Sequence, residues 1–275
     1  MALITASLNS GSNGNAYYVG DVDDAILVDV GMSSREILKR MQALELDPKS
    51  LKAIFISHEH GDHIRGLPRL AHQFQLPIYI TAGTAKSIHL IRHLSVPFQD
   101  AEPVQVGKLS VVPFRKAHDA ADPHSFVVHG HGINIGIFTD IGKVCKPLIH
   151  YFSQCHAAYL EANYDEEMLE QGSYPRHLKN RIRGGEGHLS NKEAFDLFLS
   201  HRPAHMRQLY LSHLSRENNH PDKVLDLFTS ARTGVDIHIA SRFGPTGVFR
   251  VEGDPVQAVR IWNNGIMKQA ALFDL

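Results

Sequence analysis

The chain has 275 residues, and its 28 lysines and arginines against 29 aspartates and glutamates give a formal net charge of −1, which excludes histone-like binding by bulk positive charge. It has no run of about 18 apolar residues and no basic segment followed by an apolar one near its start, so we expect neither a transmembrane helix nor a secretory signal. Its two cysteines, Cys145 and Cys155, cannot form a disulfide framework, and we expect a cytoplasmic protein. The unusual feature is the presence of 19 histidines, because histidine is the commonest metal ligand.

Taken in chain order, short apolar runs alternate with segments of helical periodicity, which predicts a layered α/β or α+β architecture. The predicted strands are residues 2–8, 16–19, 26–30, 53–56, 77–80, 109–114, 125–128, 133–138, 157–160, 209–211 and 235–239. The predicted helices are one that Ser33 or Ser34 caps, and residues 63–74, 166–169, 191–199 and 222–228. We find no linker long enough to separate two domains, so a single domain over residues 1–275 is expected.

The most specific motif follows the predicted strand 53–56. His58, His60, Asp62 and His63 form the pattern H-x-H-x-D-H. In extended chain, residues two apart point to the same side, so His58 and His60 can converge on one ion while the last two residues face a second position. Two ions about 3.5–4 Å apart are the standard arrangement for hydrolysing phosphate esters. The alternative for this run taken alone is a solvated histidine-rich loop or an adventitious metal-binding tract.

Further metal ligands are needed, because four side chains are too few for two ions. His118, Asp140 and His213 each come directly after a predicted strand, and an aspartate at 140 could bridge both ions. Each has an ordinary alternative, since an aspartate after a strand often caps a helix and a lone histidine often lies on the surface. Together with the H-x-H-x-D-H run, the three positions predict a dinuclear metal site.

This order of residues resembles the metallo-β-lactamase superfamily. The resemblance implies a four-layer αββα sandwich with two divalent ions, Zn²⁺ or Mn²⁺ with Fe²⁺ as a further option, and a metal-bridging hydroxide as nucleophile. The implied ligands are His58, His60 and His118 for the first ion, Asp62, His63 and His213 for the second, and Asp140 as the bridge. Asp62 is counted with the catalytic residues as well.

Five further segments narrow the resemblance to the WalJ/YycJ-type bacterial hydrolases, over residues 8–221. The segments are 10–15, 118–123, 160–165, 187–191 and 213–219. This resemblance implies 5′-to-3′ exonuclease activity on DNA, so DNA or another phosphodiester is the implied substrate. The chain departs from the pattern at Pro123-His124-Ser125 and at Asp140-Ile141-Gly142. The first departure places His124 among the candidate substrate-binding residues.

The leaving alkoxide needs a proton, and His188 in Gly187-His-Leu-Ser190 is the candidate general acid. Resemblance to the tRNA 3′-processing endonuclease of the superfamily implies that Glu161 orients it. The alternative for His188 is a backbone hydrogen bond at a helix start. Arg181 and Arg183, within a basic segment, are candidate phosphate-binding residues, although a solvated helix face is nearly as good an interpretation.

Three functions compete. The first is a metal-dependent phosphodiesterase, most simply a DNA exonuclease. The second is a small-molecule hydrolase that acts on a cyclic phosphodiester, thioester or lactone at the same metal site, because fold and ligands do not determine substrate. The third is a regulatory or metal-sensing module without catalysis, which the complete ligand set argues against. No membrane association and no obligate protein partner are expected, and no stretch is long enough for a second, RNA-recruiting domain.

Overall fold

The computed structural model describes residues 2–88, 92–231 and 233–253, together with the backbone of two short strands beyond them. The strands are β1 Ala2–Asn9, β2 Ala16–Gly20, β3 Ala25–Val28, β4 Leu51–Phe55, β5 Ile78–Ile80, β6 Ser95–Pro97, β7 Val104–Val106, β8 Leu109–Arg115, β9 His124–Gly130, β10 Ile133–Phe138, β11 Ala157–Glu161, β12 Gln208–Ser212, β13 Asp236–Ile239, β14 Phe249–Glu252, β15 Arg260–Asn263 and β16 Ile266–Gln269. The α-helices are α1 Ser34–Ala43, α2 Gly61–Ile64, α3 Leu67–Phe74, α4 Ala82–Lys86, α5 Lys146–Phe152, α6 Glu166–Gln171, α7 Arg176–Arg183, α8 Asn191–His201 and α9 Pro221–Thr229.

Two mixed seven-stranded sheets form the middle of the molecule. The first has the order β14-β1-β2-β3-β4-β5-β6, and the second has the order β13-β12-β11-β10-β9-β8-β7. Each sheet buries both faces, which explains why its strands are nearly continuous apolar runs in the sequence. In β3, Ile26 and Val28 contact the opposite sheet, whereas Ala25 and Leu27 face the outer helices.

Helices cover the outer face of each sheet. Ile37 of α1 and Leu70 of α3 pack on the first sheet, and Leu148 of α5, Leu197 of α8 and Phe228 of α9 pack on the second. The layers are therefore helix, sheet, sheet and helix, and the predicted αββα sandwich is confirmed. Within the described ranges, no helix is long and apolar enough to cross a membrane.

The predicted helix over 63–74 is wrong as one element, because the chain breaks between α2 and α3. The backbone N–H of Gly66 donates to the carbonyl of Val30 at 2.9 Å. A Cβ at position 66 would lie 2.0 Å from the carbonyl oxygen of Met32, so the close approach of the two segments requires glycine. This contact joins the segment after β3 to the histidine-rich segment after β4.

Strand direction collects polar side chains at one edge of the two sheets. β3 and β4 run parallel in the first sheet, and β10, β11 and β12 run parallel in the second. β8 runs the same way as β10, since both are antiparallel to β9. The carboxyl ends of these strands lead directly to Asp29, His58, His118, Asp140 and His213.

Candidate metal centre

Three histidines that the sequence assigns to the first ion converge at this edge. The ring of His58 lies 4.8 Å from that of His118 between centroids, and the ring of His60 lies 5.2 Å from it. His58 Nε2 and His60 Nδ1 are 3.1 Å apart. The possible ligand atoms of the three residues all lie within 4.8 Å of one another, so they could hold one ion.

The residues assigned to the second ion form an adjacent group. Asp62, His63 and His213 offer ligand atoms within 4.8 Å of one another. The Nε2 atom of His63 lies 3.7 Å from Asp62 Oδ2, and the Nε2 atom of His213 lies 4.0 Å from the same oxygen. The two groups come from both sheets, because His213 follows β12 and the other two follow β4.

Asp140 lies between the two groups. Its Oδ2 atom is 3.2 Å from His63 Nε2, and its Oδ1 atom is 3.5 Å from His213 Nε2 and 3.9 Å from His118 Nε2. One carboxylate therefore contacts a residue of each group. A carboxylate that bridges two ions must lie between their two groups of ligands, as Asp140 does.

The chemistry of these atoms fits divalent metal ions. His118 Nε2, His213 Nε2 and Asp140 Oδ2 are buried and have no hydrogen-bond partner in the described part of the chain. A buried polar atom without a partner is costly, and coordination to a cation would satisfy all three. Imidazole and carboxylate ligands together suit Zn²⁺, Mn²⁺ and Fe²⁺.

The histidine pKa values shift in opposite directions in the two groups. Burial lowers the pKa of His118 to about 4 and holds the pKa of His58 well below its ordinary value, so both rings are neutral at pH 7. At His63, burial also opposes the charged form, but Asp140 and Asp29 outweigh burial and raise the pKa to about 10. The carboxylates thus favour positive charge beside His63, and a cation bound there would displace the proton.

His188 and His213 share one carboxylate oxygen. The Nδ1 atoms of both rings lie 2.8 Å from Glu161 Oε1, while Glu161 Oε2 accepts from the backbone N–H of Ile141 at 2.6 Å. Burial disfavours the ionised carboxylate, but the two rings outweigh it and lower the pKa of Glu161 to about 2. Glu161 is therefore an anion that orients both imidazoles, and the predicted contact with His188 is present.

Comparisons with known proteins identify the family of the chain. A family model described as the metallo-beta-lactamase superfamily matches residues 10–135. The chain is 33% identical over 224 residues to exodeoxyribonuclease YycJ of Bacillus anthracis, covering 80% of this chain and 85% of that protein. The chain belongs to the YycJ/WalJ group of the metallo-β-lactamase superfamily. Exodeoxyribonuclease WalJ of Streptococcus pneumoniae is 31% identical over 219 residues, covering 77% of this chain and 81% of that one.

The fold of a solved relative agrees as well. YhfI of Bacillus subtilis, a metallo-beta-lactamase fold protein, superimposes with a TM-score of 0.70 at 17% identity, covering 91% of this chain and 99% of that one. Membership of the YycJ/WalJ group makes the protein a metal-dependent hydrolase. The resemblance read from the sequence is confirmed.

The predicted substrate-binding residues of this YycJ/WalJ member lie around the centre without forming one group. Arg181 Nε donates to Asp119, whose Oδ1 atom is 3.5 Å from His118 Nε2. Arg183 Nη1 donates to Glu170 at 2.8 Å. The ring of His124 packs edge-on against Phe98, with 5.2 Å between centroids. Substrate contact by these three residues stays a prediction.

Sequence reasoning missed Asp29. This fully buried carboxylate accepts from the Ser57 backbone N–H and hydroxyl, each at 2.8 Å, and lies 2.8 Å from His63 Nδ1. The predicted strand 26–30 enclosed it, whereas β3 ends at Val28. The rule that found Asp140, an aspartate directly after a buried strand, would have found Asp29 had the strand been ended two residues earlier.

We expect Asp29→Asn to weaken Zn²⁺ binding by about 10–100-fold, because it removes the partner that orients His63, a predicted metal ligand. Asparagine keeps the size of the side chain and tolerates the left-handed backbone at this position, where φ is 62°. Competition with a chromogenic chelator measures the affinity. The matched control is Asp222→Asn on the exposed end of α9, and equal affinity in both variants would contradict the role of Asp29.

Proposed function

We propose that the protein is a dinuclear metal-dependent phosphodiesterase that degrades DNA as a 5′-to-3′ exonuclease. The observation that carries the proposal is the contact of the Asp140 carboxylate with His118 of one ligand group and with His63 and His213 of the other. Support for DNA as the substrate comes from the names of the two relatives, both exodeoxyribonucleases, which match more than three-quarters of this chain at 80% and 77% coverage.

In this proposal the ligands are His58, His60 and His118 for one ion, Asp62, His63 and His213 for the other, and Asp140 between them. Bound divalent ions lower the pKa of coordinated water and offset negative charge on the phosphoryl oxygens. The protein holds its ligands in place before any substrate arrives, because Asp29 bonds to His63 and Glu161 bonds to His213.

His188 is proposed to protonate the leaving oxygen. Its Nδ1 atom faces Glu161, so Nε2 is the nitrogen left for the substrate. A doubly protonated ring gives the Nε2 proton to the departing alkoxide and keeps its Nδ1–H···Glu161 bond, which leaves a neutral imidazole. The side chain of His188 is 18% exposed, whereas Glu161 is fully buried, so the histidine is the member of the pair that can reach a substrate.

Digestion of end-labelled nucleic acids by metal-reconstituted protein tests the proposal. Single- and double-stranded DNA should shorten from the 5′ end, with RNA degraded more slowly. Assays on bis-p-nitrophenyl phosphate, a thioester and a lactone run in parallel, because hydrolysis of a thioester or lactone without cleavage of DNA would establish the small-molecule alternative instead.

Arg181 and Arg183 are proposed to contact substrate phosphates by exchanging their carboxylate partners for them. Both arginine side chains are about half exposed, at 56% and 44%, and exposed ion pairs contribute little stability. Replacing both residues with glutamine should weaken DNA binding and reduce the slope of log K against log salt by about one per lost phosphate contact. Arg250→Gln on β14 is the control, and an unchanged slope in the double variant would refute the contact.

A further inference from the structure

A cavity of about 320 Å³ lies beside the metal centre, between the segments that follow β12 and β13. Its lining includes Leu214, directly after the proposed ligand His213, and Ile239 at the end of β13. The lining also includes Arg216, Arg242 and Phe243. Ligand cavities start at roughly 300 Å³, so this one can hold a small planar group.

Phe243 stands at the rim of this cavity. It is 79% exposed and is the one exposed phenylalanine among the described residues. The other exposed large apolar side chains of the described residues are aliphatic, and only Val22, at 92%, is as exposed as Phe243. An exposed ring next to a cavity offers a face on which another flat ring can stack.

Two arginines beside Phe243 have charges that hydrogen bonds and carboxylates only partly offset. Arg242 Nη1 is buried and has no hydrogen-bond partner in the part of the chain that the structure describes. Its Nη2 atom makes one long contact, 3.4 Å to the Ser12 hydroxyl. Burial and the nearby charge of Arg216 lower the pKa of Arg242. Arg216 itself is 70% exposed and only loosely paired with Glu217, at 3.6 Å. This pair of cations favours an anion, and guanidinium groups match phosphate oxygens.

The segment 10–15 connects the cavity to the metal centre. On one side, Asn15 Nδ2 lies 3.1 Å from His63 Nε2. On the other side, Asn13 Nδ2 donates to the Arg242 carbonyl at 2.8 Å. Gly11 has a φ of +138°, and a Cβ there would lie 3.3 Å from Arg242 Cβ, so glycine lets the segment lie directly against the cavity wall. A DNA strand that lies across segment 10–15 would reach both the cavity and the metal centre.

We propose that this cavity is a nucleotide-binding subsite, in which Phe243 stacks on a base of the DNA strand while Arg242 and Arg216 bind an adjoining phosphate. The subsite rests on the proposed function, since a polymer of bases and phosphates is the occupant that uses both the ring and the cations. Stacking on an aromatic face tolerates every base, so the subsite holds single-stranded DNA without selecting its sequence. It positions the strand, and the chemistry stays with the metal centre.

Binding of a 3′-fluorescein-labelled, phosphorothioate-linked single-stranded DNA to the metal-loaded protein tests the subsite, because this probe resists hydrolysis during the measurement. Phe243→Ala should raise Kd by about 5- to 150-fold, which corresponds to the loss of one stacked base. Phe243→Trp should restore binding. Arg242→Gln should reduce the salt slope by about one. A 2-aminopurine base moved along the strand should be quenched at one position in the wild type and not in Phe243→Ala.

Val22→Ala is the matched control, because Val22 is exposed in the turn before β3, at the opposite end of the sheet from the metal centre. Bound metal per chain and thermal melting confirm that each variant is folded. If the wild type degrades DNA and Phe243→Ala binds the probe as tightly as Val22→Ala, the subsite is wrong and the proposed function stands. If the wild type neither binds nor degrades DNA, both are wrong.

Discussion

We expect Asp140→Ala to lower the metal content to well below two ions per chain and to abolish hydrolysis. The two oxygens of Asp140 contact His63, His118 and His213, so this one carboxylate touches both groups of proposed ligands. Its loss also leaves buried imidazoles facing one another without the carboxylate that separates them. Elemental analysis after desalting measures the stoichiometry, and hydrolysis of labelled DNA measures the activity.

Asp140→Asn separates charge from shape in this experiment. Asp140 has a φ of 53°, a left-handed conformation that asparagine adopts readily, so this variant keeps the backbone and loses one anionic oxygen. We expect it to retain the ion held by three histidines more strongly than the second ion. Two tightly bound ions in Asp140→Ala would disprove the bridging position.

His188→Ala should slow cleavage of DNA by about 10²–10⁴-fold, the usual contribution of general acid catalysis, while both ions stay bound. The loss on bis-p-nitrophenyl phosphate should be much smaller, because p-nitrophenolate leaves without needing a proton. His72→Ala, a variant of an exposed histidine in α3, is the matched control. Equal losses on both substrates would assign His188 to binding or positioning, and loss of an ion would make it a ligand.

Glu161→Gln should resemble His188→Ala with a smaller loss, since a neutral amide still accepts from one ring. The shared oxygen adds a second expectation. Glu161 Oε1 contacts His213 as closely as His188, at 2.8 Å in both cases, so this variant should also bind the second ion more weakly. His188→Ala leaves the contact with His213 in place, and comparing metal affinity in the two variants separates the two effects.

The sequence predicted the elements that local patterns control. The strand at 133–138 has the predicted bounds, and Ser33 caps α1 by accepting from the Glu36 backbone N–H. The αββα sandwich followed from the resemblance carried by the H-x-H-x-D-H run. The specific assignments of metal and catalytic residues stay predictions, although the structure brings the seven proposed ligands, His188 and Glu161 to one edge.

Long-range pairing could not be predicted. β14 pairs with β1, so Val251 lies opposite Leu3. Nothing in the local sequence pattern of either strand predicts this pairing. The break between α2 and α3 depends on a contact of Gly66 with a distant carbonyl, which periodicity does not show. The cavity beside Phe243 was missed for the same reason, because its walls come from segments that follow different strands and meet only in the fold.

The two groups of proposed ligands come from both sheets, with His58 to His63 from one and His118, Asp140 and His213 from the other. Ions bound there would link the two sheets, in addition to the apolar contacts between the sheets. The free energy of binding them is then also free energy that opposes separation of the halves. Removal of the ions would therefore lower the free energy of unfolding as well as the activity.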